Sequence, residues 1–443
     1  MVAGVLAELD QRGLVAQSTD PQTLDAALSG GAVTFYCGFD PTAPSLHIGN
    51  LVQLLTMRRL QDAGHRPIAV VGGSTGLIGD PKPTSERQLN SPELVRAWSE
   101  RLNAQVARYL RFDGPAPARV VNNLEWTAPL SALEFLRDIG QHVRVNRMLT
   151  KEAVSARLAS ESGINYTEFS YQLLQALDYL HLFRTYDCLL QLGGSDQWGN
   201  ITAGVDLVHR VAGVSVHALS TPLVTRADGT KYGKTEGGTV WLDPELTSPY
   251  AFYQFWLNVE DADVIRLLGY YTFRDATERQ RLAAEVAAHP ESREAQRALA
   301  ADVTTLVHGT AAAEQVQRAS AALFGREELS AVHPSVLDAA LRTVPSARVA
   351  PGARPTIAQL LVDTGLSPSL SAARRTLVGG GVSVNNVRVA DAGALLEPAE
   401  ALAGRWLVLR RGRRAVAGVL LGEQGETGPA VVDGPRSSVP AEI

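Results

Sequence analysis

Tyr36-Cys37-Gly38-Phe39-Asp40-Pro41-Thr42-Ala43-Pro44-Ser45-Leu46-His47-Ile48-Gly49-Asn50 joins two patterns of different period. Before it, the β-rich run Ala32-Val33-Thr34-Phe35 predicts a buried strand over 32–39. After it, apolar residues recur at helical spacing over 46–63, and Gly64 follows as a helix C′ residue. The turn between them holds two prolines and has no room for a glycine-rich phosphate loop. It sets His47, Asn50 and backbone N–H groups at a helix N-terminus, where anions bind readily. A lone histidine at a helix start is more often structural than functional, so these residues by themselves leave both readings open.

Outward from this turn, strand and helix patterns alternate. Residues 66–71 read as strand, and 91–110 as a helix with Ser91 as N-cap and Pro92 at the first helical position. Strand follows at 118–122, helical pattern at 131–159 and 166–182, and strand at 188–192. This order predicts an α/β fold, a parallel sheet covered by helices with ligands at the carboxyl ends of its strands. From 248 to 324 the chain reads as successive helices, and 325–355 as a linker with a helical piece at 335–342. Beyond it come helices at 356–365 and 371–378, then a Gly379-Gly380-Gly381 turn into a strand.

Four stretches carry polar groups in suggestive places. Gly72-Gly73-Ser74-Thr75-Gly76-Leu77-Ile78-Gly79-Asp80 lacks the Gly-Lys-Ser/Thr ending of a Walker loop and does not match the dinucleotide spacing. Its glycines suit close approach of backbone to a ligand, and Asp80 offers a carboxylate to an ammonium group. Lys82, Glu86 and Arg87 follow in a polar loop within reach of phosphates; a solvated turn explains the stretch about as well. In helix 166–182, Tyr171, Gln175 and Asp178 stand at i, i+4 and i+7 and share one face. That face is either a solvent-facing stripe or a line of phenol, amide and carboxylate turned into a pocket. Gly193-Gly194-Ser195-Asp196-Gln197-Trp198-Gly199-Asn200 is a second strand-to-helix turn, with Asp196 placed to accept ribose hydroxyls. Lastly, Asp228-Gly229-Thr230-Lys231-Tyr232-Gly233-Lys234-Thr235 puts two lysines three residues apart in a glycine-punctuated loop. It is a solvated turn or a clamp for a polyphosphate.

Composition bounds the rest. The 443 residues suffice for two or three domains, and 20% charged against 45% hydrophobic residues is ordinary for a soluble globular protein. Cys37 and Cys188 lie far apart in strand-like runs, giving no disulfide framework or zinc spacing, and predict a reducing cytoplasm. No apolar run is long enough to span a membrane, and the first residues do not form a signal peptide. The formal net charge of −5 hides an asymmetry: residues 351–421 carry nine arginines against four acids. A basic module on an acidic body points to a local nucleic-acid contact. Residues 422–443, rich in Gly, Pro, Glu and Ser, predict an unstructured tail.

Taken together, the His47-Ile48-Gly49-Asn50 turn and the Lys231-Tyr232-Gly233-Lys234-Thr235 loop resemble the two signatures of class I aminoacyl-tRNA synthetases, a His-Ile-Gly-His-type turn and a Lys-Met-Ser-Lys-Ser-type loop. The residues around them are similar to those of bacterial tyrosyl-tRNA synthetases over roughly 5–421. The resemblance implies a Rossmann-like catalytic domain at 1–245, paired into a homodimer through helices near 131–165. It further implies a helical domain at 246–325 for the tRNA anticodon region, a linker at 326–355, and a small α+β RNA-binding domain at 356–421. There Arg374, Arg375 and Arg388 would contact phosphates.

By the same resemblance, Tyr36 and Asp178 would bind the phenol hydroxyl of tyrosine, and Asp80, Tyr171 and Gln175 its ammonium group. Cys37, Gly38 and Asp40 would lie near the adenylate, Gly194 and Asp196 on the ribose, and Gln197 near the carboxylate. Thr42 and His47 would meet the γ-phosphate side of ATP, with Gly49 and Asn50 as nucleotide contacts. Lys82, Arg87, Lys231, Lys234 and Thr235 would stabilise departing pyrophosphate, with Mg²⁺ neutralising its charge. Two departures stand out: Asn50 occupies a position where histidine is usual, and the loop from Asp80 to Arg87 is one residue shorter than in many relatives. The implied reaction activates tyrosine with ATP and passes it to tRNA(Tyr), without a protein nucleophile. The rivals are a tryptophanyl enzyme of the same class, disfavoured by the Tyr36/Asp178 pair and the basic module, and a non-catalytic RNA-binding paralogue, disfavoured by His47, Lys231 and Lys234.

Overall fold

The computed structural model describes residues 4–422 apart from 82–87, 162, 226–231, 233, 236–237, 326 and 413–414, and at 152–153 and 234–235 it gives the backbone only. Lys82, Glu86, Arg87, Lys231 and the tail beyond 422 therefore lie outside the described residues, as do the side chains of Lys234 and Thr235.

Contacts divide the chain into two units, the first being Met1–Lys234, Thr239–Asp243 and Ala262–Ala283. Its elements run α1 (Val5–Gln11), β1 (Gln17–Ser18), α2 (Pro21–Gly30), β2 (Thr34–Phe39), α3 (Ile48–Asp62), β3 (Arg66–Val71), α4 (Thr75–Ile78) and α5 (Pro92–Ala107). There follow β4 (Arg119–Asn122), α6 (Leu124–Thr127), α7 (Ala132–Glu134), α8 (Val145–Leu149), α9 (Glu152–Leu158), α10 (Tyr166–Tyr186), β5 (Cys188–Gly194), α11 (Trp198–Ala212) and β6 (His217–Thr221). The strands form one sheet in the order β1-β6-β5-β2-β3-β4, parallel except for β1, which runs antiparallel to β6. Strand β2 has β3 on one side and β5 on the other, with Tyr36 in register with both Ile68 and Gln191. The order of connection reverses there, and such a reversal opens a crevice at the carboxyl ends of the two strands.

Local chemistry explains the framing helices. Ser91 Oγ accepts from the Leu94 amide at the start of α5, as the sequence predicts. Asn165 caps α10 by accepting from the Glu168 amide, and Asp187 ends it in the left-handed region at φ 51°. Leu177 and Leu180 of α10 are buried in a core with Tyr36, Ile68 and Val70. Each such burial is worth roughly 1.5–3 kcal/mol, and together they fix which face of α10 turns away from the sheet.

Three expectations are corrected. Residues 131–159 are not one helical run: a π-turn at Phe135–Ile139 and a 3₁₀ turn at Gly140–His142 break it, and Val143 and Arg144 are extended before α8 begins. Residues 262–283 gather with the sheet rather than with a helical domain starting at 246. The cause is a set of buried donors: Arg12 Nη1 and Arg59 Nη2 both donate to the Thr272 carbonyl at 3.0 and 2.7 Å, and the Tyr271 hydroxyl donates to the Ile48 carbonyl at 2.9 Å. The 326–355 stretch, expected as a linker with a helical piece at 335–342, has that helix at Pro334–Leu341 but adds a strand at Ser346–Val349 that pairs within a sheet.

The second unit, Thr235–Gly238, Pro244–Asp261 and the chain from Ala284 on, combines helices with that smaller sheet. With β7 (Lys234–Thr235) and β8 (Gly238–Thr239) as short strands before it, its helices include α12 (Pro249–Leu257), and α13 (Asp261–Tyr271) and α14 (Ala276–Ala288) lead on to α15 (Glu294–His308) and α16 (Thr310–Leu323). Helix α12 packs against α15 and α16. Then come α17 (Pro334–Leu341), β9 (Ser346–Val349), α18 (Ile357–Asp363), α19 (Leu370–Val378), β10 (Val382–Val384), β11 (Val387–Val389), β12 (Trp406–Arg411) and β13 (Ala415–Leu421). The sheet order is β11-β10-β12-β13-β9, with β9 parallel to β13 and the other pairs antiparallel. Leu360, Leu361, Leu377, Leu407 and Val419 form its core beneath α18 and α19.

Candidate active site

The crevice between β2 and β5 is a cleft of about 1450 Å³. Pockets for one small ligand hold ~300–1,000 Å³, so this one has room for two substrates side by side. Tyr36, Cys37, Gly38, Asp40, Thr42, His47, Gly49 and Asn50 line it from β2 and the following turn. Asp80 lines it from the glycine-rich stretch, Tyr171, Gln175 and Asp178 from α10, and Gly194, Asp196 and Gln197 from the turn after β5. The polar face of α10 is thus turned into a pocket rather than to solvent.

At the mouth of α3, His47 is the N-cap. Its Nδ1 accepts from the Gly49 amide at 3.0 Å, which leaves the proton of a neutral imidazole on Nε2. Asn50 Oδ1 accepts from the His47 amide at 3.1 Å, completing a reciprocal capping box. This gives the departure at Asn50 a local role that a carboxamide oxygen fills well. Gly49 is required here because a Cβ would lie 2.8 Å from the His47 ring. Gly72 is required for a similar reason: its Cβ would fall 2.0 Å from Asp40 Oδ1.

Deep in the cleft, the Tyr36 hydroxyl is buried and has no hydrogen-bond partner among the described residues. Burial and the neighbouring Asp178 charge hold this phenol protonated well above its ordinary range. Asp178 is 4% exposed, and burial raises its carboxyl to about 7 against the hydrogen bonds it receives. Those come from Asn123 Nδ2 at 3.1 Å and Trp126 Nε1 at 2.9 Å. Trp126 is itself stacked on His181, with ring centroids 4.4 Å apart. The Tyr171 hydroxyl donates to Asp40 Oδ2 at 2.6 Å, and Asp40 Oδ1 accepts from Thr75 Oγ1 at 2.6 Å.

Asp80, 18% exposed in its side chain, is gripped from three sides. Lys151 Nζ lies 2.7 Å from Oδ1, Asn200 Nδ2 3.2 Å from the same oxygen, and Gln197 Nε2 3.0 Å from Oδ2. Gln197, expected beside a substrate carboxylate, here orients a protein carboxylate. The sequence assigns no role to Asn123, Trp126, Thr75, Lys151 or Asn200. Thr75 and Asn200 stand inside the two glycine-rich stretches, and the spacing of Asn200 from Gln197 on one turn was the signal available.

Arg374 and Arg375 are exposed on α19, with Arg375 Nη1 on Ser371 Oγ at 3.2 Å. Arg388, also exposed, donates through Nε to the Gly380 carbonyl at 2.6 Å and so braces the glycine turn.

A family model described as tRNA synthetases class I (W and Y) matches residues 28–325, and one described as the tyrosine–tRNA ligase SYY-like C-terminal domain matches 337–417. The tyrosine–tRNA ligase of Acidothermus cellulolyticus is 58% identical over 419 residues, covering 94% of this chain and 98% of its own. That of Leifsonia xyli subsp. xyli is 60% identical over 417 residues, 94% of each. Among solved structures, a C-terminally truncated mitochondrial tyrosyl-tRNA synthetase of Aspergillus nidulans matches with a TM-score of 0.65 at 28% identity, over 71% of this chain and 92% of that one. The reversal of strand order at β2, the capped helix behind it and these matches agree, and the chain belongs to the class I tRNA synthetases of the tryptophan and tyrosine group.

Proposed function

We infer that the chain is a tyrosine–tRNA ligase, which activates tyrosine with ATP and transfers it to the terminal adenosine of tRNA(Tyr). The observation that carries the choice of tyrosine is the buried Tyr36 hydroxyl without a partner among the described residues, beside a buried Asp178 carboxylate that acts on its charge. A phenol O–H entering there donates to Asp178 and accepts from Tyr36. Phenylalanine would leave the Tyr36 hydroxyl unpaired and bring no donor to Asp178, which keeps only its bonds from Asn123 and Trp126, a discrimination for which tyrosyl-tRNA synthetases are themselves the standing example. An indole N–H has no acceptor to offer Tyr36.

In the first step a carboxylate oxygen of tyrosine bonds to the α-phosphorus of ATP and the bond to pyrophosphate breaks. In the second a ribose hydroxyl of tRNA attacks the acyl carbon and AMP leaves. Catalysis is by position and charge. Asp80, Tyr171 and Gln175 would hold the substrate ammonium, with the Tyr171 hydroxyl bonded to Asp40. Cys37, Gly38 and Asp40 would border the adenylate, Gly194 and Asp196 the ribose, and Thr42, His47, Gly49 and Asn50 the phosphate side. Lys82, Arg87, Lys231, Lys234 and Thr235 would draw off pyrophosphate. Among the described residues no group of three or more His, Cys, Asp or Glu could hold a metal ion. Mg²⁺ would enter on the phosphates of ATP and supply charge neutralisation there.

The chain would act as a homodimer. Leu133, Leu136, Val145 and Leu158, at 80, 50, 57 and 50% exposure, leave an apolar surface along 131–165, and sedimentation at twice 47.4 kDa tests it. We place the protein in the cytoplasm, consistent with free, buried Cys37 and Cys188. No described helix is long and apolar enough to cross a membrane.

The decisive test is amino-acid-dependent ATP–pyrophosphate exchange. Tyrosine alone should support exchange, Asp178→Ala should blunt its selection, and Lys234→Ala should slow adenylate formation. Exchange with tryptophan would overturn the reading of the α10 face, and none with any amino acid would favour an RNA-binding paralogue.

A further inference from the structure

We propose that Lys151 is an internal occupant of the substrate's ammonium subsite, and that tyrosine must displace it to bind. The proposal rests on the reading of Asp80 as the acceptor for tyrosine's ammonium group. The Lys151 Nζ is a primary ammonium, the same chemical group as the one tyrosine brings. It sits 2.7 Å from Asp80 Oδ1 and 2.8 Å from Asn200 Oδ1, with its side chain 10% exposed. Asn200 is fully buried, and its Nδ2 donates to Gln197 Oε1 at 2.8 Å and to Asp80. The groups around the site therefore present Lys151 with one carboxylate and one carboxamide oxygen, a cradle suited to a single ammonium.

Two ammonium groups on one carboxylate repel, and at side chains only 10 and 18% exposed that repulsion is screened less than in bulk water. Lys151 comes from a different part of the chain from the other cleft walls. It is the residue just before α9, at the end of the segment in which His142, Arg144, Arg147 and Met148 also line the cleft. The helical pattern of that segment breaks at 143–144, and the Lys151–Asp80 ion pair ties its far end to the cleft floor. Release of Lys151 by the incoming ammonium would loosen this arm at the moment the amino acid arrives. Binding and arm position are then linked, because a ligand that needs the vacated subsite shifts the arm by its differential affinity.

The test compares three phenols on the full chain by equilibrium binding: tyrosine, tyramine and 3-(4-hydroxyphenyl)propionate. The first two carry the ammonium and the third does not. If Lys151 competes for Asp80, Lys151→Met removes a fractional occupancy that lowers apparent affinity, and tyrosine and tyramine tighten on the order of 10-fold. The propionate does not tighten. Lys151→Arg keeps the competing cation and leaves the affinity for tyrosine at or below that of the unaltered chain, and thermal unfolding of both variants reports whether they fold. Unchanged or weakened tyrosine binding in a folded Lys151→Met protein, or an equal shift for all three ligands, overturns the proposal. Failure of the unaltered chain to bind any of the three phenols would instead overturn the tyrosine site on which it rests.

Discussion

Asp178 carries the sharpest consequence for behaviour in solution. Its carboxyl is raised from 3.8 to about 7 by burial, while Asn123 and Trp126 donate to it. The ionised form accepts a phenol O–H as a charge-assisted bond, so ligand binding favours ionisation. Tyrosine affinity is expected to fall as pH drops below about 7, by up to tenfold per pH unit, and fluorescence titration from pH 5.5 to 8.5 checks it. Asp178→Asn should flatten that profile and cost about 1.5–3 kcal/mol of tyrosine binding; a flat profile in the unaltered chain would remove Asp178 from the site. The sign for the unliganded fold is separate. A folded carboxyl raised above its unfolded value stabilises below the unfolded value, and that contribution is lost as pH climbs through about 7. Tyr171, Gln175 and Asp178 were legible in the sequence because one helix spaces them onto one face. Asn123, Trp126 and Lys151 were not, since β4, α6 and the 142–151 arm bring ordinary polar residues over that face only once the sheet has formed.

Helix α10 has to be held as well as formed. Arg157 of α9 meets Glu168 of α10, Nη2 to Oε2 at 3.2 Å, with both side chains 1% exposed. Arg157 Nε also donates to the Gly163 carbonyl at 2.9 Å, which ties the connection between the two helices. Such a pair adds little over a well-packed apolar pair, but removing one partner strands a buried charge. Glu168→Ala is expected to cost about 3–5 kcal/mol in urea unfolding and to raise the KM for tyrosine, because the first turns of α10 carry Tyr171 and Gln175. A loss below about 1 kcal/mol would mean that Arg157 finds other acceptors or water. Elements with clean apolar runs, β2 and β3 among them, were legible from the sequence. The two-residue β1 was not, nor were the breaks within 131–159, where apolar periodicity persists through a π-turn and hides the change in hydrogen bonding.

At the scale of the whole chain, the charge division is the guide to tRNA. Residues 351–421 hold nine arginines and four acids in a protein of net charge −5, and Arg374 and Arg375 stand exposed on α19 above the smaller sheet. Ala373 and Leu377 on the same helix are fully buried, so the two arginines cannot turn inward without unpacking α19. Arg388 has less freedom, because its guanidinium is engaged by the Gly380 carbonyl. Replacing Arg374 and Arg375 together with alanine should therefore weaken tRNA binding evenly across tRNA sequences. It should also make the salt dependence shallower, by roughly one power of salt concentration for each phosphate no longer neutralised. Tyrosine-dependent pyrophosphate exchange should be untouched, since neither residue belongs to the unit that holds the cleft. Filter binding across a range of NaCl concentrations measures the slope, and exchange kinetics on the same preparation measures the first step. An unaltered salt slope would shift the tRNA-binding surface away from α19, and a fall in exchange would mean that the two units do not work independently.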